Sequence, residues 1–254
     1  MIYGYVNDGF YTVDDFASFD AQARTWKLKA GVVDSSPLSD TPRPGNAKFK
    51  KLTPVDPNST NPYQLTEADR TVIGNTTPKF SGGFGLNATY KGFDLSMFFS
   101  YMYDFDVLNA NKIMLTTWAD NKDNNFLMDI ASDKRWRNFD DMGNEIRYSP
   151  EILAEFNKDA TMWNPTSIGR PISMSYAVED GSFLRLSSAT FGYTLPVAWT
   201  RKVGLNKVRF YVSGNNLFVL TGYSGYDPEV NIATGLTPNI DYNRYPRSRT
   251  YTFG

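Results

Sequence analysis

Three tryptophans, Trp118, Trp136 and Trp163, are the side chains of this sequence best suited to gripping a ligand. Aromatic faces stack on sugar rings and anchor peptides, so all three are candidates for substrate contact. The competing reading is that they staple a long loop to its neighbours, as buried tryptophan often does. Asp227-Pro228-Glu229 offers two carboxylates. Acid/base cleavage of a glycosidic bond needs such a pair roughly 5–9.5 Å apart, but carboxylates beside a proline more often set a turn and a salt bridge. Asp140-Asp141-Met142-Gly143-Asn144-Glu145 and Asp120-Asn121-Lys122-Asp123-Asn124-Asn125 are rich in oxygen ligands. Neither has the alternating ligand spacing of an EF-hand, and such Asp, Asn and Gly clusters mostly make turns. No catalytic residue, metal or cofactor is expected.

The rest of the chemistry is narrowed by what is missing. There is no histidine and no cysteine in the 254 residues. The commonest general base and zinc ligand is therefore gone, and so are disulfides, thiolate sites and any Ser-His-Asp or Cys-His arrangement. A net charge of -1 leaves no basic footprint for nucleic acid. A hydrolase working on carboxylates alone would have to rest on Asp227 and Glu229, and replacing either would then abolish turnover.

The elements that must position these residues are strands. Aromatics make up 15% of the chain, yet no apolar run reaches the roughly 18 residues of a membrane helix. Over 79–107 the alternation has period two. Phe80, Gly82, Phe84, Leu86, Ala88 and Tyr90 share one face, against Ser81, Gly83, Gly85, Asn87 and Thr89. Lys91-Gly92 makes a tight turn, and Phe93, Leu95, Met97, Phe99, Tyr101, Tyr103 and Phe105 return on one face. Two neighbouring strands of about eleven residues suit a bilayer crossing at barrel tilt. A further strand over 181–195 needs a bulge near Ser187-Ser188 to reconcile Leu184 and Leu186 with Ala189, Phe191 and Tyr193. Pro196 ends it, a short turn of helix follows, and the next strand spans 207–222 with a second bulge near Gly214-Asn215-Asn216. Residues 2–6 and 249–254 complete about six antiparallel strands. Arg185, inside one of them, either faces the lumen and pairs with an acid of a plug or a loop, or keeps an inward pore wall hydrated; the second is the simpler expectation.

The expected fold is therefore all-β: a segment of a large transmembrane β-barrel, with long extracellular loops at about 10–76, 108–180 and 223–247 and short turns on the other side. The C-terminus then runs towards the periplasm. The alternative is a soluble carbohydrate-binding β-sandwich, which requires both faces of the strands to be covered by protein.

Tyr3-Gly4-Tyr5 with Asp8-Gly9, the run from Asp69-Arg70 to Gly74-Asn75, and Pro78-Lys79-Phe80 resemble SusC/RagA-type TonB-dependent transporters of Bacteroidetes. So do the motifs starting at Tyr90, Gly181, Gly192, Gly214, Gly225 and Tyr245, in the family's order. The resemblance implies the C-terminal portion, 1-254, of a barrel of about 22 strands with a plugged lumen. It implies import of oligosaccharides or peptides, a SusD-like surface lipoprotein as lid, and drive from the TonB complex acting through a plug. That plug and the N-terminal strands are not in this sequence. Where many members carry an acidic Asp-Gly-Asp loop, this chain reads Lys51-Leu52-Thr53-Pro54, so no calcium-like loop is carried over.

Overall fold

The computed structural model describes residues 1–39, 41–117, 126–130, 133–168, 171–230, 239–242 and 245–254. The chain divides into two compact units: Asn75–Val107 with Glu179–Gly254, and Met1–Gly74 with Leu108–Val178.

The first unit is built on an antiparallel meander of five strands. These are β1 (Phe80–Tyr90), β2 (Phe93–Tyr103), β3 (Phe183–Thr194), β4 (Arg209–Thr221) and β5 (Thr250–Phe253), each hydrogen-bonded to its neighbour in the chain. The first four are 11, 11, 12 and 13 residues long, enough to cross a bilayer at barrel tilt. Lys91 and Gly92 both have positive φ, 47° and 91°, which gives the turn a twist that matches the flanking strands. β3 and β4 are joined through a helical turn, Val197–Thr200, and a 3-10 turn that Gly204 closes at φ 76°.

Cross-strand pairing places every side chain on one of two faces. Phe84 opposes Phe99, which opposes Leu186, which opposes Phe218. Lower down, Tyr90, Phe93, Tyr193 and Phe210 form a second row. This face carries aromatic and aliphatic groups with only glycine or alanine between them. The other face holds Ser81, Asn87, Ser96, Thr190 and Ser213. The expected bulge in β3 is present: Leu186 pairs with Phe99 and Ser188 with Phe98, leaving Ser187 as the extra residue. Its hydroxyl meets that of Ser100 at 2.7 Å. In β4 the irregularity falls at Asn216-Leu217, opposite Ser187, and Asn216 takes a positive φ of 53°. Apolar side chains keep even numbers through it.

Among the described residues no second layer lies across the apolar face. Phe80 is 64% exposed, Phe191 47%, Phe210 59%, Leu220 60% and Phe253 77%. About a dozen large side chains stand open in this way, and at about 1.5–3 kcal/mol for full burial of each, covering their open halves is worth on the order of 10–20 kcal/mol. That exceeds the whole stability of many domains. A sandwich would have a facing sheet here. One end of the polar face is covered, where Phe105, Val107, Phe183, Tyr223 and Val230 form a small core with Met102 and Val219. Met102, out of place in a polar-face alternation, is explained by that cluster.

The second unit holds much of what reads in the sequence as long connection. Short pairs, Asn7–Phe10 with Ala47–Phe49 and Phe16–Asp20 with Thr25–Leu28, surround a core of Trp136, Ile146 and Leu153. Residues 2–6, expected as a wall strand, do not join the five-stranded sheet. Ile2–Gly4 pairs instead with Thr71–Gly74, and Tyr5 makes a single bridge to Met174. Three residues cannot span what the eleven-residue strands span, and a two-stranded pair satisfies their backbone locally.

Candidate functional site

The sheet itself is the functional element, so the site is built from what holds its polar face and its loops. Arg185 projects from that face of β3, in register with Ser100 and Val219. It is only 3% exposed. Its guanidinium donates to Asp227 at 2.6 Å and lies 2.7 Å from Glu229. Arg247 reaches Glu229 from outside at 3.1 Å. The sequence expectation of a hydrated inward charge is thus corrected: Arg185 is shielded from water, because the segment after β4 folds back over it. Asp227-Pro228-Glu229 is also a turn, with the Glu229 amide donating to the Asp227 carboxylate at 2.9 Å. Both carboxylates are engaged by guanidinium groups, which leaves neither free for proton transfer to a substrate.

Towards the Lys91-Gly92 turn, Arg209 of β4 grips Asp94 of β2 with two hydrogen bonds, 3.0 and 2.5 Å. The pair bridges over β3 at Gly192, where an added Cβ would sit 2.7 Å from the Arg209 guanidinium carbon. Glycine is required there for close approach, not for an unusual φ. In the loop that covers the polar face, Tyr223 donates to Asp241 at 2.7 Å. Burial first, and then that carboxylate, push the phenol far above its ordinary range.

Of the tryptophan candidates, Trp118 lies outside the described residues, as does the 120–125 cluster. Trp136 and Trp163 are each 2% exposed. Trp136 packs edge-on against Phe10, with the backbone of Gly45 close against its ring; Trp163 packs edge-on against Tyr176. Both rings are covered by protein in this arrangement, although the two segments run side by side, with the Trp136 amide donating to the Met162 carbonyl at 2.8 Å. Asp140 is a turn: its carboxylate accepts from the Asn144 side chain at 2.9 Å and from the Met142 and Asn144 amides, and the Asn144 bond leads in holding its pKa low. Among the described residues no group of three or more carboxylates converges as a metal site would need.

One buried charge went unnoticed in the sequence. Asp69 is fully buried and accepts from the Leu52, Thr53 and Thr66 amides and from both threonine hydroxyls, at 2.7–3.1 Å. Burial raises its pKa, but these donors outweigh burial and hold the carboxyl well below the usual range. The Thr66 to Asp69 spacing, a capping box, was the available signal.

Comparison with known proteins follows the same lines. No family model matches the chain. It is 34% identical over 223 residues to TonB-dependent receptor P3 of Formosa agariphila, covering 85% of this chain and 19% of that protein. Over 81 residues it is 35% identical to TonB-dependent receptor SusC of Bacteroides thetaiotaomicron, 31% of this chain and 7% of that one. The solved structure of the RagAB peptide importer in its open-open state superposes with a TM-score of 0.57 at 21% identity, covering 99% of this chain and 21% of the other. The chain belongs to the SusC/RagA family of TonB-dependent receptors. It spans about a fifth of the length of its longest-matching relatives. The fold of the first unit is accordingly a stretch of barrel wall that is not closed in itself. The family motifs in that unit turn out to meet in space. Arg185 of the Gly181 motif holds Asp227 and Glu229 of the Gly225 motif, and Arg247 of the Tyr245 motif holds Glu229 again.

Proposed function

We propose that this chain forms wall and extracellular loops of a TonB-dependent importer that carries oligosaccharides or peptides across the bacterial outer membrane. The observation that carries this reading is the uncovered sheet: one face is apolar and aromatic, the other is mostly serine, threonine, asparagine and glycine with Phe98 and Tyr211 among them away from the small core, and strands β1 and β5 have no outer partner among the described residues. An open edge of this kind calls for further strands of the same barrel. The two short connections, at 91–92 and 195–208, then face the periplasm with the C-terminus. The long connections of the wall then lie on the extracellular side, where a SusD-like lipoprotein would close over them. Drive would come from the TonB complex through a plug, and no residue of this chain acts as a motor part.

The test exploits the absence of cysteine from this stretch, any cysteine elsewhere in the receptor being first replaced by serine. Single cysteines at Leu86, Met97 and Phe191 on the apolar face, and at Asn87, Ser96 and Thr190 on the polar face, are placed in the assembled receptor in lipid bilayers. A membrane-impermeant maleimide should label the second set and spare the first. Equal labelling of both sets would remove the lipid-facing wall, and with it the importer reading.

A further inference from the structure

We propose that the second unit carries a binding groove for an acidic oligosaccharide, gripping a carboxylate or sulfate ester borne on a sugar ring. Two adjoining cavities of about 340 and 230 Å³ share Asn138, Arg147 and Thr166 in their walls and so form one groove. Together they reach the size of a small-molecule site.

Two guanidiniums of the groove already hold carboxylates, Arg137 with Asp141 and Arg147 with Glu145, each at 2.7 Å, but two other donors there have no such counterpart. Arg135 lines it and makes only a long 3.4 Å contact to the Ile130 carbonyl; no acid pairs with it among the described residues. The Asn138 amide makes no side-chain hydrogen bond among those residues. Trp136, 2% exposed, also has an indole N–H with no acceptor, but that atom is shielded from the groove beside the Gly45 backbone. The acceptors present are already engaged. Asp140 is taken up by the Met142 and Asn144 amides and the Asn144 side chain, and Asn164 Oδ1 accepts from the Thr166 amide and hydroxyl. A buried N–H without a partner is costly. A ligand that engages Arg135 and Asn138 must bring acceptors, and a guanidinium fork favours anionic oxygen in pairs.

A ring-shaped ligand is favoured over a peptide by the walls. Phe139, 46% exposed, offers a face beside Arg147, whose guanidinium carbon is 5.5 Å from its ring centre. Peptide capture commonly adds a strand to an open sheet edge, but Arg135 and Phe139 take part only in isolated bridges, to Met162 and Glu145. The idea rests on the importer reading for its biological meaning, and it names the substrate class that reading leaves open.

The test is calorimetric titration of the assembled, detergent-solubilised receptor with four probes: tetragalacturonate, a sulfated galactose tetramer, neutral galactotetraose and tetraglutamate. One or both charged sugars should bind, more weakly as salt rises, and the arm that binds identifies carboxylate or sulfate. Arg135→Gln should weaken that binding by about tenfold, as expected for loss of a charge-assisted pair, with near-UV circular dichroism unchanged. Arg135→Lys, which keeps the charge but loses the fork, serves if the glutamine variant does not fold, and should fall between. Neutral tetramer binding within twofold of the charged sugars, no binding by any probe, or Arg135 variants that bind as tightly as the parent would overturn the proposal. Equal or tighter binding of tetraglutamate would overturn it in favour of an acidic peptide. Because this titration needs no bilayer, its failure is separate from failure of the cysteine labelling.

Discussion

Replacing Arg185 with Met removes the one buried cation that two loop carboxylates share. The side chain of Arg185 is 4% exposed, that of Asp227 9% and that of Glu229 15%. Methionine is of similar length and fills much of the space above Phe183, whose ring the guanidinium overlies at 5.6 Å. What remains is a pair of desolvated carboxylates with only Arg247 beside them, and Arg247 is half exposed. Breaking a buried ion pair from one side costs about 3–5 kcal/mol, because the stranded charge is not compensated. Two charges are stranded here and one is partly rescued, so about 4 kcal/mol is expected, close to three powers of ten in the unfolding equilibrium. The assay is urea unfolding of the chain in detergent micelles, followed by tryptophan fluorescence. A triple variant, Arg185→Met with Asp227→Asn and Glu229→Gln, removes every charge at the centre and should recover most of the loss. If Arg185→Met costs less than about 1 kcal/mol, the ion-pair account of the loop is wrong. The same holds if the triple variant is no more stable than the single one.

Gly192→Ala should push the Arg209 guanidinium off Asp94 and cost about 1–3 kcal/mol, and the cost should largely vanish when Arg209 is already Ala; additive losses would mean the two residues do not touch. Asp69→Asn should destabilise by about 1–3 kcal/mol at neutral pH, because an amide cannot accept all the donors the carboxylate holds. Since the folded pKa of Asp69 lies below its unfolded value of about 4, its contribution is complete above that pH and fades as pH falls towards the folded value. The gap between parent and variant, measured by chemical denaturation, should therefore close in acid. Tyr11→Phe strips a hydroxyl that donates to the Val33 carbonyl at 2.6 Å and accepts from the Ser35 amide, for a loss of about 1–3 kcal/mol. Burial above all pushes the Tyr11 phenol up to about 12. An unfolded tyrosine ionises near 10, so this phenol weakens the parent between those values. The variant should lack that part of the alkaline decline in a denaturation series from pH 9 to 12.

Much of the wall was legible in the residues alone. The run from Phe80 to Tyr103 alternates with period two across a turn that only Lys91-Gly92 could make so short, and side chains on alternate positions must face opposite ways. The bulge at Ser187 followed from the same rule, since Leu186 and Ala189 cannot share a face without an extra residue between them. These features are local, set by spacing along one strand or across one turn. Trp136 and Trp163 show where that reasoning stops. Their type suggests a ligand platform, but a ring buries itself wherever neighbours arrive to cover it, and the neighbours of Trp136 are Phe10 and Gly45, some ninety or more positions earlier in the chain.

Sequence by itself determined which face of each strand is apolar, where the strands turn, and that no histidine or cysteine chemistry is possible, because these depend on residue identity and on spacings of a few positions. Tertiary structure alone decided that Arg185 is buried against Asp227 and Glu229, that residues 2–4 leave the wall for Thr71–Gly74, and that unpaired donors gather around Arg135 and Asn138. Those outcomes join residues tens to more than a hundred positions apart. Their physical cause is the desolvation of charges and N–H groups by chain that returns from elsewhere, and no local pattern encodes which segment returns.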